Sequence, residues 1–136
     1  PGWRVTEQPG LAPNPEGARA LRAFAESLPA PRRLIFACMR DKAIAELAEI
    51  LFPAFSEIWL CGTAYARGAT PAELRAAIAA VLHEKIDREF AKPGDALAAL
   101  NRDADLAASA GPITFIAGSL FLIGETLAIL RPEMKD

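Results

Sequence analysis

Three short stretches of this chain carry side chains suited to holding a polar or anionic ligand. Arg40-Asp41-Lys42 follows one apolar run, Thr63, Tyr65 and Arg67 follow a second through Gly62, and Gly118-Ser119 follows a third. Arg67 offers a planar fork of N–H donors that matches carboxylate and phosphate oxygens. Lys42 supplies a point charge that can neutralise phosphate. Asp41 can order a neighbouring loop or meet a nucleotide. Gly118 and Ser119 open what reads as a helix, whose first amides can face an anion. Asn14, directly before Pro15, reads as the cap of another helix start beside such a site. Each residue also has a plain structural reading. Asp41 fits a helix cap, Arg40, Lys42 and Arg67 fit solvated surface charges, and Gly118-Ser119 fits a tight turn. Their common position at the ends of apolar runs favours the ligand reading, because an open parallel sheet binds ligands beyond the carboxyl ends of its strands.

The elements that would position these residues alternate in type. Residues 33–38 read as a buried strand, and residues 41–51 as a helix with Ala43, Ile44, Leu47, Ile50 and Leu51 at helical spacing. Asp41 would serve that helix as N-cap or first-turn acid, and Pro53 would end it. Residues 57–61 make a second strand, and 62–70 a loop. Thr70-Pro71-Ala72-Glu73 is a strong helix start, with a Thr cap, Pro in the first position and Glu three residues after the cap; this helix is expected to reach His83. A weak strand is expected over 86–90, a helix from Pro93 to about Asn101, a strand over 113–117, and a Ser119-capped helix reaching Leu130. Upstream, Asn14-Pro15-Glu16 starts a helix through Leu28. Trp3–Thr6 reads as an edge strand and Pro9–Pro15 as a loop. The alternation implies a three-layer, Rossmann-like α/β domain with a mainly parallel sheet flanked by helices.

Composition narrows the possibilities. A chain of 136 residues with 52% hydrophobic content fits one domain with a real core. Fifteen basic and seventeen acidic residues leave a formal charge of −2, which offers no electrostatic footprint for nucleic acid or an anionic membrane. The apolar stretch 113–130 is interrupted by Gly118-Ser119 and Glu125, so it reads as a strand running into a buried helix rather than a membrane span. Cys38 and Cys61 sit inside apolar runs and are expected to be buried, reduced thiols. No Gly-rich phosphate loop, dinucleotide fingerprint, Cys/His metal cluster or Ser-His-Asp arrangement is legible. With the single His83 as its only histidine, the chain is expected to bind, position or close over substrates, with no catalytic residue and no metal site of its own. It begins at Pro1 without an initiator Met or a signal peptide, which fits a piece of a larger protein.

Several of these stretches together resemble one family. Leu34-Ile35-Phe36-Ala37-Cys38-Met39-Arg40-Asp41-Lys42 is similar to its apolar strand and acidic–basic turn. Ile58-Trp59-Leu60 with Arg67-Gly68-Ala69-Thr70-Pro71-Ala72-Glu73-Leu74 is similar to its second strand, arginine loop and helix start. Ile116-Ala117-Gly118-Ser119-Leu120-Phe121-Leu122-Ile123-Gly124-Glu125 is similar to its closing motif and is the most specific of the set. Asn14-Pro15-Glu16-Gly17-Ala18 resembles the end of a further motif. The family is the folylpolyglutamate synthases, often also dihydrofolate synthases, related to the Mur ligases of peptidoglycan synthesis.

The resemblance covers nearly all of the chain after Asn14. It implies the C-terminal domain of a cytoplasmic, monomeric ligase whose P-loop domain precedes this one. That ligase would use ATP and Mg²⁺, bound mainly by the preceding domain, to phosphorylate a folate or dihydropteroate carboxylate, and glutamate would then attack the acyl phosphate. The closing domain would hold nucleotide or amino acid through Asn14, Asp41, Lys42, Arg67, Gly118 and Ser119. The chain departs from the family in two places. Pro9-Gly10-Leu11-Ala12-Pro13-Asn14-Pro15 lacks the motif's Asp and His, so the motif is either altered or shortened there, and Ala43 replaces a second Asp after Lys42. A C-terminal domain of a peptidoglycan Mur ligase and a non-enzymatic α/β binding module are the competing readings. A receiver-like module would require an acidic cluster after the first strand, which this chain lacks.

Overall fold

Leu34, Ile35 and Phe36 are fully buried yet face opposite ways, which makes their strand the middle layer of the molecule. The computed structural model describes residues 3–8, 14–107, 111–117 and 127–132. In chain order these form β1 (Trp3–Gln8), α1 (Pro15–Glu26), β2 (Arg32–Phe36), α2 (Ile44–Leu51), β3 (Glu57–Cys61), α3 (Pro71–Ala77), β4 (Ile86–Phe90), α4 (Pro93–Ala107), β5 (Ile113–Ala117) and β6 (Leu127–Pro132). Short 3-10 turns follow α2 at Phe52–Ala54 and α3 at Ala80–Lys85. The six strands lie in the order β1-β6-β5-β2-β3-β4. The β5-β2, β2-β3 and β3-β4 pairs are parallel, while β6 runs antiparallel to both β5 and β1. The expected α/β, three-layer architecture with a mainly parallel sheet is what the chain adopts.

Register turns the alternating sequence into two cores. Leu34 lies beside Ile58 and Phe115, and all three enter the larger core. One residue on, Ile35 lies beside Trp59 and Ile116, and these three enter the smaller core on the other face. The larger core is covered by α1 through Ala18, Leu21 and Ala25, by α2 through Ile44, Leu47, Ala48 and Leu51, and by α3 through Leu74. These spacings keep each apolar set on one stripe of its helix. Edge-to-face aromatic pairs fill the space between: Phe36 with Phe52 at 5.6 Å and Phe55 with Phe115 at 5.4 Å. The smaller core is covered by α4, whose Ala96 and Ala99 are buried against the sheet.

The structure corrects the sequence reading in several places. The helix expected to run from Ser119 to Leu130 does not reach that far: 127–132 is β6, slotted between β5 and β1. Leu127-Ala128-Ile129-Leu130 is a short apolar run compatible with either element, and pairing on both strand edges decides for a strand. Gly118 and Ser119 lie outside the described residues. The helix expected over 71–83 ends at Ala77, where Ile78 turns extended and into the core. Its end is closed by His83, whose Nε2 lies 3.0 Å from the carbonyls of both Arg75 and Ile78. Carbonyls only accept, so Nε2 carries the proton. His83, read from sequence as surface or filler, is thus a cap for α3. The second helix starts at Ile44 behind Ala43, with no side-chain cap, so Asp41 does not cap it. The helix expected to end near Asn101 continues to Ala107.

Among the described residues, one charged group is buried. Arg33, 6% exposed, is at the start of β2 with its guanidinium 4.2 Å from the Trp59 ring. Its Nη2 donates to Asp103 of α4 at 3.4 Å, and Glu57 Oε1 lies 3.3 Å from its Nε. That Nε contact is close enough for attraction but makes no hydrogen bond. Asp103 also pairs with Arg88 at 3.5 Å, so it ties α4 to two strands. Removing one partner of a largely desolvated charge is costly. Asp103→Ala should therefore lower the unfolding free energy by about 1–3 kcal/mol, below the value for a fully buried pair because Glu57 still faces Arg33. Urea unfolding measures this, and a change within experimental error would show that the network does not hold α4.

Candidate functional site

Parallel pairing brings the ends of β2 and β3 out side by side. Beyond β2 the chain runs buried through Ala37 and Cys38, reaches half-buried Met39 and turns at Arg40-Asp41-Lys42. Lys42 N–H donates to Met39 O at 3.2 Å, and Ile44 N–H donates to Lys42 O at 2.9 Å to start α2. Beyond β3, Gly62 passes so close to the Ala91 carbonyl that a Cβ would overlap it. The loop then folds on itself: Thr63 Oγ1 accepts from Tyr65 N–H at 3.0 Å, and Gly68 N–H donates to Tyr65 O at 3.1 Å. A Cβ at Gly68 would overlap the Thr63 hydroxyl, so the turn needs a residue without a side chain there.

The two connections are joined to each other. Arg40 N–H donates to Arg67 O at 3.0 Å and Ala69 N–H to Cys38 O at 2.9 Å, around an antiparallel bridge between Met39 and Gly68. Together they line an open cleft of about 420 Å³, formed by Met39, Asp41, Lys42, Tyr65, Ala66 and Arg67. Its floor is largely apolar and its rim is charged. Arg67 Nη2 donates to Asp41 Oδ2 at 3.1 Å, with both side chains mostly in water. Such an exposed pair is weak, so an anionic ligand entering the cleft can compete for the guanidinium. A second hollow, at the amino ends of β3 and β4 and lined by Ser56, Glu57, Glu84, Lys85 and Asp87, is mostly acidic. Its one cation, Lys85, is committed to the carbonyls of Phe52 and Phe55.

The structure thus brings Asp41, Lys42 and Arg67 into one place. Asn14 caps α1, its Oδ1 accepting from Gly17 N–H at 2.8 Å. The cleft also takes Met39, the apolar residue that opens the turn after the first apolar run, and Ala66, which no motif marks. Glu73 bears on it indirectly. The expected capping box at the start of α3 is present: Glu73 N–H donates to Thr70 Oγ1 at 3.2 Å, and Glu73 Oε1 accepts from Thr70 N–H at 3.0 Å. The sequence shows Glu73 only as that box acid, yet its other oxygen accepts from Arg40 Nε at 2.8 Å.

The hydrogen bond from Arg40, with the Thr70 backbone bond second, holds the Glu73 carboxyl at about 2, against an ordinary 4.5. A depressed acid contributes its stabilisation fully above the ordinary carboxyl range and loses it as pH falls through the folded-state value. The Arg40–Glu73 pair should therefore persist through mild acid and open only as pH approaches 2. A carboxyl ¹³C NMR titration checks this, and a Glu73 midpoint near 4.5 would contradict it. Both cysteines are buried and free, as expected. Burial pushes the Cys38 thiol up to about 11 and the Cys61 thiol up to about 12. Because thiolate is the reactive form, both should resist alkylation by iodoacetamide at neutral pH until the chain is unfolded; fast labelling of the native protein would be the contrary result.

The family model for the Mur ligase glutamate ligase domain matches residues 11–120. Solved structures sharing this fold include Mycobacterium tuberculosis folylpolyglutamate synthase complexed with ADP, at TM-score 0.62 and 20% identity, covering 77% of this chain and 25% of that one. Escherichia coli FolC in complex with DHPP and ADP aligns at TM-score 0.56 and 24% identity over 68% of this chain and 21% of that one. Escherichia coli FolC in complex with ADP, without folate substrate, aligns at TM-score 0.56 and 22% identity with the same coverage. At these identities the likeness establishes the fold, and this chain spans a quarter or less of the length of those chains. No curated protein sequence matches the chain significantly. With most of its length inside the family model and its parallel strand ends forming a basic-rimmed cleft, the chain belongs to the Mur ligase glutamate ligase domain family.

Proposed function

We propose that this chain is the closing domain of an ATP-dependent ligase that adds glutamate to a folate, of the folylpolyglutamate synthase type that is often bifunctional with dihydrofolate synthase. The observation that carries the reading is the meeting of Asp41, Lys42 and Arg67 in one strand-end cleft of a glutamate ligase domain. The folate branch is supported by the FolC and folylpolyglutamate synthase structures that share the fold, two from E. coli and one from M. tuberculosis.

In this reaction a folate carboxylate oxygen attacks the γ-phosphorus of ATP, releasing ADP and leaving an acyl phosphate. The neutral amine of glutamate adds to the acyl carbon, phosphate leaves with the C–O electron pair, and the amine loses a proton to give the amide. Both the attacking amino acid and the phosphates are anionic, so a cationic rim is what their positioning requires. Arg67 is assigned to a glutamate carboxylate or a phosphate, and Lys42 to neutralising that charge. Asp41 orients Arg67 until the ligand replaces it. Gly118 and Ser119 are assigned to an anion through their amides, and Asn14 to the helix start beside the site. Among the described residues no cluster of three His, Cys, Asp or Glu is arranged to hold a metal ion. As the family resemblance implies, Mg²⁺ and most of the ATP contacts are assigned to a preceding P-loop domain, onto which this one closes.

Loss of a charge-assisted hydrogen bond costs about 1.5–3 kcal/mol, roughly a ten- to hundredfold change in binding. Arg67→Ala in the full-length ligase should raise KM for glutamate by about that factor while the circular dichroism spectrum is retained. An unchanged rate at low glutamate would remove Arg67 from the site.

A further inference from the structure

Arg67 is exposed and its side chain is long, so the direction in which it leaves the backbone decides what it can reach. That direction follows from the orientation of the two peptide planes on either side of its Cα, because the planes are rigid and only φ and ψ vary. Both planes are gripped by one residue. The Ala66 carbonyl, in the plane before Arg67, accepts from Arg40 Nη1 at 2.9 Å. The Arg67 carbonyl, in the plane after it, accepts from Arg40 N–H at 3.0 Å. The next residue along, Asp41, holds the tip of the Arg67 side chain at 3.1 Å.

Arg40 is itself anchored. Its Nε donates to Glu73 Oε2 at 2.8 Å, and Glu73 belongs to the first turn of α3, which is fastened to the core by the fully buried Leu74. The shared carboxylate also caps α3 through Thr70 N–H. The guanidinium thus spans from a helix with a fixed seat to the carbonyl preceding Arg67. A lysine carries its donors on one freely rotating nitrogen and lacks the rigid fork whose two nitrogens here reach the Glu73 carboxylate and the Ala66 carbonyl.

We propose that Arg40, held by Glu73, is a positioning residue for the amino-acid site, setting the backbone angle from which Arg67 meets the anionic substrate. This rests on the assignment of Arg67 to substrate made above. A surface ion pair of this kind adds little to stability, whereas a small displacement of a binding group has a large effect on how substrate is held. The expected signature is therefore a binding defect in a protein of nearly unchanged stability.

The test is steady-state ligation by the full-length enzyme, with glutamate varied and melting temperature recorded, for Arg40→Met, Arg40→Lys, Glu73→Gln and Arg67→Ala, and for Arg40→Met combined with Arg67→Ala. Glu73→Gln keeps an oxygen for the Thr70 cap and loses the charge facing Arg40, so it reads the clamp even if Arg40→Met folds poorly. Arg40→Met should raise KM for glutamate about tenfold with kcat nearly unchanged. Arg40→Lys should not restore it, and Glu73→Gln should raise KM by a smaller factor. In the Arg67→Ala background, Arg40→Met should add nothing further, because Arg40 acts through Arg67. If Arg67→Ala raises KM but Arg40→Met and Glu73→Gln do not, positioning by Arg40 is overturned and the site reading stands. If Arg40→Met has its full effect without Arg67, Arg40 acts independently and the proposal is again overturned. If Arg67→Ala itself leaves KM unchanged, the site assignment falls and the proposal falls with it.

Discussion

Hydrogen bonding along both edges of β2, with apolar side chains on both of its faces, is the constraint from which the arrangement of this domain follows. A strand placed between β3 and β5, in register with each, must present Leu34 and Phe36 to one helical layer and Ile35 to the other. Because its neighbours run parallel, every return connection has to cross the sheet, and the chain emerging from β2 and from β3 does so at one edge. Nothing about Arg40, Asp41, Lys42 or Arg67 brings them together on its own. The pairing of Arg33–Phe36 with Glu57–Leu60 brings them together, and the loop bonds between Cys38–Arg40 and Arg67–Ala69 then lock the spacing.

The two ends of these strands handle charge differently. At the amino end Arg33 is buried against Trp59 and hemmed in by Glu57 and Asp103, so its charge is spent internally and its role is to tie α4 to the sheet. At the carboxyl end Arg40 and Arg67 are exposed and each has one carboxylate partner, Glu73 and Asp41. Those two pairs differ in turn. Arg40–Glu73 is reinforced by a helix cap and a backbone carbonyl. Arg67–Asp41 is the more exposed of the two and lies on the rim of the cleft. A firm pair behind a loose one is the arrangement expected of a binding group that must be aimed but still be able to exchange partners.

Much of this was legible in the sequence, for identifiable reasons. Buried parallel strands are short, apolar and bounded by turn residues, so β2, β3 and β5 stand out, and the Thr70-Pro71-Ala72-Glu73 box announces α3 through local chemistry alone. The cleft residues Asp41, Lys42 and Arg67 were reachable because strand ends are where side chains of an open sheet converge. The misreadings fall where distant contacts decide. Leu127–Leu130 has no local preference strong enough to resist pairing with β5 and β1. The end of α3 is set by His83 bonding back to Arg75 and Ile78 from outside the helix. Asp41, a plausible cap by spacing, is drawn instead to Arg67, 26 residues away. The Arg40–Glu73 link is of the same kind: Arg40 looks like an ordinary surface charge and Glu73 like a capping-box acid until the fold sets them 2.8 Å apart.

If this domain closes over glutamate in a folate ligase, the full-length protein supplied with ATP and Mg²⁺ should join glutamate to a folate. One ADP should be released for each glutamate joined, with strict dependence on ATP, glutamate and folate. Release of ADP and formation of an amide only with a peptidoglycan precursor, or no ligation with any folate, would contradict that role.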